Sequence, residues 1–156
     1  MINTVEKLNE VRGTAIADLN RYACRVLVCS GTGCIATGSN KIHEIFEDIV
    51  KNAPGVELVF SPCGGHDDEN VVGVKKTGCQ GFCELGPLVR IQKNGRTIQY
   101  VKVQPGDCQE IFEQSVLGDE VIERLLYHKG ETAYVQPDEI PFIAKQTRIV
   151  LENCGK

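Results

Sequence analysis

Two short stretches, VCSGTGC at 28–34 and TGCQGFC at 77–83, constrain this chain more than anything else in it. Each sets two cysteines, Cys29 with Cys34 and Cys79 with Cys83, in a turn built mostly of small residues. Each turn follows a short apolar run, CRVLVC or VVGVKK, of the kind that forms a buried strand. A fold that satisfies both must bring the ends of two distant strands to one place. Four sulfurs then converge there.

The chain has 156 residues, enough for one domain with a real core. A formal net charge of -4 argues against nucleic acid as a partner, because phosphate binding wants a basic face. It also removes the case for a polybasic membrane contact. No apolar run approaches the roughly 20 residues of a membrane span, and the first 20 residues are too polar for a secretory signal. These features predict a cytoplasmic protein, where eight cysteines are reduced thiols or metal ligands rather than a disulfide frame.

Apolar positions at Val5, Leu8, Val11, Ala15, Leu19 and Tyr22 predict a helix over 4–22, with Asn3 as its cap. CRVLVC (24–29) predicts a buried strand. Ile42, Ile45, Phe46, Ile49 and Val50 share one helical face, capped at Ser39 or Asn40 and stopped by Pro54-Gly55. Strands are expected at 56–60, 71–76, 88–92 and 97–103, the last two joined by Asn94-Gly95, a strong hairpin signal. A helix opens at Pro105 and buries Ile111, Phe112 and Val116, and DEVIERLLY adds another helical turn or two. The order α-β-α-β-β-β-β-α-α predicts an α/β fold, a mixed sheet flanked by helices on both faces with an extra N-terminal helix. That is a thioredoxin-like plan.

In this plan both cysteine turns leave the same end of the sheet. Four thiolates hold one [2Fe–2S] cluster, whose negative charge needs backbone N–H donors rather than protons. Gly31, Gly33, Gly78 and Gly81 let the backbone approach closely. Ser30, Thr32 and Thr77 offer hydroxyl donors, and the helix carrying Ile42–Val50 would aim its positive end at the same place. A structural zinc site also takes four cysteines, and gaps of four and three residues permit one, although C-x-x-C is absent. A thioredoxin-type dithiol wants C-x-x-C and leaves the second pair unexplained. Ordinary buried thiols need no glycine on every side.

The motifs C-x4-C and C-x3-C, with ELGP after the second, resemble the thioredoxin-like [2Fe–2S] ferredoxins, the family of the 24-kDa subunit of respiratory complex I. The wording VLVCSGTGCIATGS with VKKTGCQGFCELGPLVRI is similar, more narrowly, to the N-terminal domain of the β subunit of NAD(P)-dependent multimeric [FeFe]-hydrogenases and related formate dehydrogenases. The resemblance runs from about residue 24 to 127. It implies that Cys29, Cys34, Cys79 and Cys83 are the cluster ligands. It also implies a one-electron carrier that is not an enzyme by itself, inside an NAD(P)H-linked oxidoreductase. IPFIAKQTRIVLENCG resembles the opening of the flavin- and NADH-binding domain related to the 51-kDa subunit of complex I. The domain organisation that follows is an N-terminal helix over 1–23, a ferredoxin domain over 24–127, and a linker with the truncated start of the flavin domain over 128–156. FMN, NAD(P) and a [4Fe–4S] cluster would belong to the missing remainder. The implied partners are that flavin domain and other hydrogenase or dehydrogenase subunits, with a homodimer as a further reading. The rival from another class is a redox-silent, zinc-stabilised module that docks subunits.

Cys63 reads as an exposed thiol of the loop SPCGGHDDEN, and Cys24 and Cys108 as small buried hydrophobes. Cys154 falls in the tail. His66 beside Asp67 and Asp68 reads as solvated, and His43 and His128 have no evident partners. Gly86-Pro87 stands where thioredoxin-like folds often hold a cis proline, but few X–Pro bonds are cis, so trans is the expectation. The apolar residues of 134–156 are expected to be disordered or to pack on a neighbouring copy, by adding a strand to an open sheet edge. Trimming after Lys129 is expected to leave the domain intact.

Overall fold

A computed structural model describes residues 2–20, 22–58, 71–150 and 152–155. Cys63, His66, Asp67 and Asp68 lie outside the described residues, as does the far half of the strand expected over 56–60.

The first helix, α1 (Val5–Asn20), forms as the stripe predicts, but Thr4 rather than Asn3 caps it. The Thr4 hydroxyl accepts the Lys7 N–H at 3.2 Å. Its apolar residues Val5, Leu8, Val11 and Ile16 face solvent. Strand β1 (Cys24–Cys29) follows, then a one-turn helix, α2 (Thr32–Ala36), and the long helix α3 (Ser39–Asn52). Neither Ser39 nor Asn40 caps α3. Gly38 does, at a φ of 100° that reverses the chain between the two helices.

Strands β2 (Glu57–Leu58), β3 (Val71–Thr77), β4 (Val89–Lys93) and β5 (Arg96–Tyr100) complete one sheet in the order β2-β3-β1-β4-β5. β1 is parallel to β3 and antiparallel to β4, so the sheet is mixed, with Val26 between Val74 and Ile91. The β4–β5 turn carries positive φ at both Asn94 and Gly95, as the hairpin signal requires.

One face of the sheet is covered by α3 and by a helical run from Pro105 to Leu117. That run begins as a 3-10 turn, becomes α4 (Cys108–Ile111) and ends as a π-helix. Cys24, Val26, Val28, Phe46, Val50, Ile91, Cys108 and Ile111 form the main core there. Both Cys24 and Cys108 are buried, as expected. The helix expected from DEVIERLLY is only a 3-10 turn, Glu123–Leu125. Its role is burial, since Ile122, Leu125 and Leu126 join the main core.

The tail departs most from expectation. Residues 127–144 form a hairpin of β6 (Tyr127–Lys129) and β7 (Thr132–Tyr134), a 3-10 turn and α5 (Pro141–Ala144), and they pack on their own chain. Ile140 is fully buried in a second core with Cys29, Cys34, Phe82, Leu88 and Val101. One edge of the sheet, β5, is bonded by its own chain. The Gln99 N–H of β5 donates to Val135 O at 2.9 Å, and the Val101 N–H just beyond donates to Leu125 O at 2.8 Å. Residues 127–144 are therefore ordered and find their burial on their own chain, whereas Ile149 and Val150 stay exposed. Of the apolar side chains beyond Tyr127, Ile140 is buried at the site end of the sheet with Tyr134 and Ile143 packed against it, while Phe142 remains exposed.

Candidate metal centre

Cys29 closes β1 opposite Thr77, the last residue of β3. Its N–H donates to Leu88 O at 3.0 Å, and the Ser30 N–H donates to Thr77 O at 2.9 Å. The first cysteine turn is thus bonded to both ends of the loop that carries Cys79 and Cys83. Parallel pairing of β1 and β3 puts their C-terminal ends side by side, which is why the two cysteine turns meet. Cys34 lies in α2 and is fully buried, whereas Cys79 is partly exposed and Cys83 exposed.

The four thiols fall into two pairs. Cys79 Sγ and Cys83 Sγ are 3.6 Å apart, close to the ~3.8 Å that tetrahedral geometry with metal–sulfur bonds of about 2.3 Å dictates. Cys34 shares a thiol hydrogen bond with Cys29. Among the described residues no three His, Cys, Asp or Glu side chains converge tightly enough for a single ion.

The backbone supplies donors to sulfur. The Gln80 N–H donates to Cys29 Sγ at 3.5 Å and the Gly81 N–H to Cys79 Sγ at 3.3 Å. Leu88 contributes a backbone hydrogen bond to Cys34. Close approach is real at two glycines. A methyl group at Gly31 would sit 3.1 Å from Cys79 Cβ, and one at Gly86 would sit 2.8 Å from Cys34 Sγ. A donor set of four thiols, with N–H groups aimed at sulfur and no room for Cβ atoms, fits an anionic iron–sulfur cluster.

Two of the thiols have raised pKa values. Burial, then the hydrogen bond from Cys29, pushes Cys34 up to about 12. The hydrogen bond to Cys79 and that residue's charge raise Cys83.

Some expectations fail locally. The helix start at the site is α2, because a helical turn intervenes before α3. Thr77 Oγ1 donates to Gly78 O at 3.1 Å, and Ser30 Oγ is buried with no hydrogen-bond partner among the described residues. Gly86-Pro87 is cis, against the expectation of trans. His43 is buried rather than free, 3.7 Å from Glu47, and burial holds its pKa below the ordinary value. His128 Nε2 hydrogen-bonds Glu123 O at 3.0 Å.

Sequence reasoning missed the polar layer behind the cysteines. Gln80, Gln99 and Arg90 are buried together, with Arg148 donating to Gln80 O at 2.9 Å and Gly155 O accepting from Arg90 at 2.8 Å. Arg90, a charge in the middle of a buried strand, was the visible signal. Cys154 Sγ rests against Gly78, 3.4 Å from where a methyl group there would lie.

No family model matches the chain. A "Ferredoxin, 2Fe-2S" of Aquifex aeolicus is 29% identical over 100 residues, covering 63% of this chain and 76% of that protein. A "Ferredoxin, 2Fe-2S" of Clostridium pasteurianum is 34% identical over 70 residues, 45% of this chain and 67% of the relative. The chain belongs to the thioredoxin-like [2Fe–2S] ferredoxin family. The solved thioredoxin-like [2Fe–2S] ferredoxin from Aquifex aeolicus superposes with a TM-score of 0.52 at 26% identity. That match covers 72% of this chain and 96% of that one. A 1.5 Å structure of the wild-type Aquifex protein gives the same TM-score, with 69% and 99% covered. The thioredoxin-like ferredoxin plan therefore accounts for the mixed sheet and its flanking helices. Among the described residues no helix is long and apolar enough to cross a membrane.

Proposed function

We propose that this protein transfers single electrons through a [2Fe–2S] cluster held by Cys29, Cys34, Cys79 and Cys83. The observation that carries the reading is the meeting of two thiol pairs at the ends of adjacent parallel strands, with N–H donors aimed at the sulfurs. When bound, such a cluster supplies one-electron redox chemistry. The chain's own residues hold it asymmetrically. Cys29 and Cys34 fix one side in the second core, while Cys79 and Cys83 bring the other side to solvent. A partner reaches the protein at that exposed pair. The close likeness of both cysteine motifs to hydrogenase β subunits supports a finer reading. The protein serves in the cytoplasm as an electron-transfer module of an NAD(P)H-linked hydrogenase or dehydrogenase complex, next to a flavin- and NADH-binding domain.

Anaerobic purification with iron supplied tests the first part. Iron and sulfide should each reach about two per chain, and one-electron reduction should give the EPR signal of a mixed-valence centre. Stoichiometric zinc and a redox-silent protein would overturn it in favour of the docking module. Reduction of the cluster by NADH in the presence of the flavin-bearing partner tests the complex. A cluster that only a free reductant reduces would leave a stand-alone carrier.

A further inference from the structure

Arg90 carries a buried charge that touches only neutral partners. It is 7% exposed, in the strand beside β1, and faces away from the main core. Its Nε donates to Gln99 Oε1 at 2.7 Å and its Nη1 to Gly155 O at 2.8 Å, both neutral acceptors. Among the described residues no carboxylate forms an ion pair with it. Burial, then the like charge of Arg148, holds its pKa below the usual arginine value, and Asp138 and Cys29 draw it the other way.

The bonds of Arg90 run in one direction. A guanidinium can only donate, so Gln99 must present its oxygen to Arg90 and its amide N–H₂ onward. Gln99 Nε2 donates to Gln80 Oε1 at 3.3 Å. Gln80 in turn presents its own Nε2 to Leu27 O and Thr77 Oγ1, and its backbone N–H to Cys29 Sγ at 3.5 Å. From Arg90 through Gln99 to Gln80 each residue donates to the next, the Arg90 Nη1 bond to Gly155 O standing apart from that series. Positive charge is thereby projected toward the buried thiol pair through two oriented amides.

We propose that Arg90, acting through Gln99 and Gln80, is the internal counter-charge of the iron–sulfur site and sets its reduction potential upward. The inference rests on the function proposed above. Four thiolates leave an oxidised [2Fe–2S] cluster net negative, and an added electron makes it more so, so a fixed buried cation favours the reduced state. Arg90 is a positioning residue here, since it touches no ligand sulfur itself.

The test is a redox titration of the cluster-loaded full chain, followed by EPR. Arg90→Met should lower the equilibrium constant for reduction at least tenfold, which is about 59 mV for one electron. Arg90→Lys, which keeps the charge, should change it less than threefold. The rise in melting temperature from apo to loaded protein should also be smaller in Arg90→Met than in wild type, because the cluster loses its counter-charge. An equilibrium constant for reduction in Arg90→Met within twofold of wild type overturns the proposal. Equal falls in the Met and Lys variants overturn it too, since the effect would then be one of shape. If Arg90→Met does not load, Gln99→Met decides: a lowered potential supports the relay and an unchanged one refutes it. A wild-type protein that holds no [2Fe–2S] cluster refutes the proposed function instead, so the two failures are distinguishable.

Discussion

Phe142 stacks on Phe82 with ring centroids 5.5 Å apart and planes 18° from parallel, which joins the tail to the loop between Cys79 and Cys83. Phe82 also meets Tyr127 edge-on at 5.2 Å, and Ile140 lies fully buried beside them in the second core. Ile140→Ala should therefore cost about 2–5 kcal/mol, the usual range for a large aliphatic cut back in a core. Trimming after Lys129 should cost more, because Phe82, Leu88 and Val101 lose their cover together. Denaturant unfolding of the apo protein measures both. A trimmed chain as stable as the whole would return the domain boundary to Tyr127.

Serine at Cys29, Cys34, Cys79 or Cys83 should lower cluster content or alter its EPR signal, because a hydroxyl is a poorer iron ligand than a thiolate. Alanine at Cys24, Cys108 or Cys154 should leave the spectrum of whatever cluster assembles unchanged. A wild-type spectrum from a Cys79 variant would unseat the assignment, unless a double variant with Cys63 abolishes it and reveals a ligand swap.

Gly86→Ala tests the close approach with all four cysteines kept. The new methyl would lie 2.8 Å from Cys34 Sγ and 3.4 Å from Cys83 O. Overpacking of this kind costs about 1–3 kcal/mol, and here it falls on the ligand geometry. Cluster loading should drop below half of wild type while far-ultraviolet circular dichroism stays the same. Full loading of this variant would mean that the turn has slack the structure does not show.

Two thiols outside the site set an alkaline limit. Burial chiefly pushes Cys24 up to about 12, with Lys93 and Arg25 opposing and Asp119 adding. Burial and then Asp107 push Cys108 to about 12. In the unfolded chain these thiols ionise near the ordinary value of 9.0. Above that pH the unfolded state sheds protons that the folded state retains, so stability falls as pH rises. Their contribution is fully present below pH 9 and is lost between about 9 and 12. A Cys24→Ala, Cys108→Ala double variant should lose less stability over that window in chemical denaturation. Parallel curves for variant and wild type would contradict this. At pH 8 neither thiol should react with iodoacetamide in the native protein.

Much of the sheet was legible because its signals are local. The β-branched runs, the Asn94-Gly95 turn and the stripe of α3 each specify structure within a few residues. The ligand cysteines were legible for another reason: thiols at short spacing beside glycine have few uses. What was hidden depends on contacts across the chain. Gln80 looks like a loop residue until Gln99 and Arg90 are seen to enclose it. Tyr127 and Tyr134 flank Gly130, whose φ of 62° makes a turn, but six ordinary residues around one glycine carry a weak hairpin signal. The tail was misjudged because its apolar residues were counted against a sheet that already had its strands. The space that Ile140 fills lies at the end of that sheet.

The hydrogen bonds from Gln99 and Val101 to Val135 and Leu125 have a consequence for behaviour at high concentration. A bare edge strand is a template on which foreign strands can add, and repeated addition leads to fibrils. The β5 side of this sheet offers these two N–H groups to its own chain first. Heat or a destabilising change that lifts 127–144 would release the Gln99 N–H before the main core, which holds Leu125, melts. Aggregation should then begin from a molecule that still keeps most of its native helices and strands.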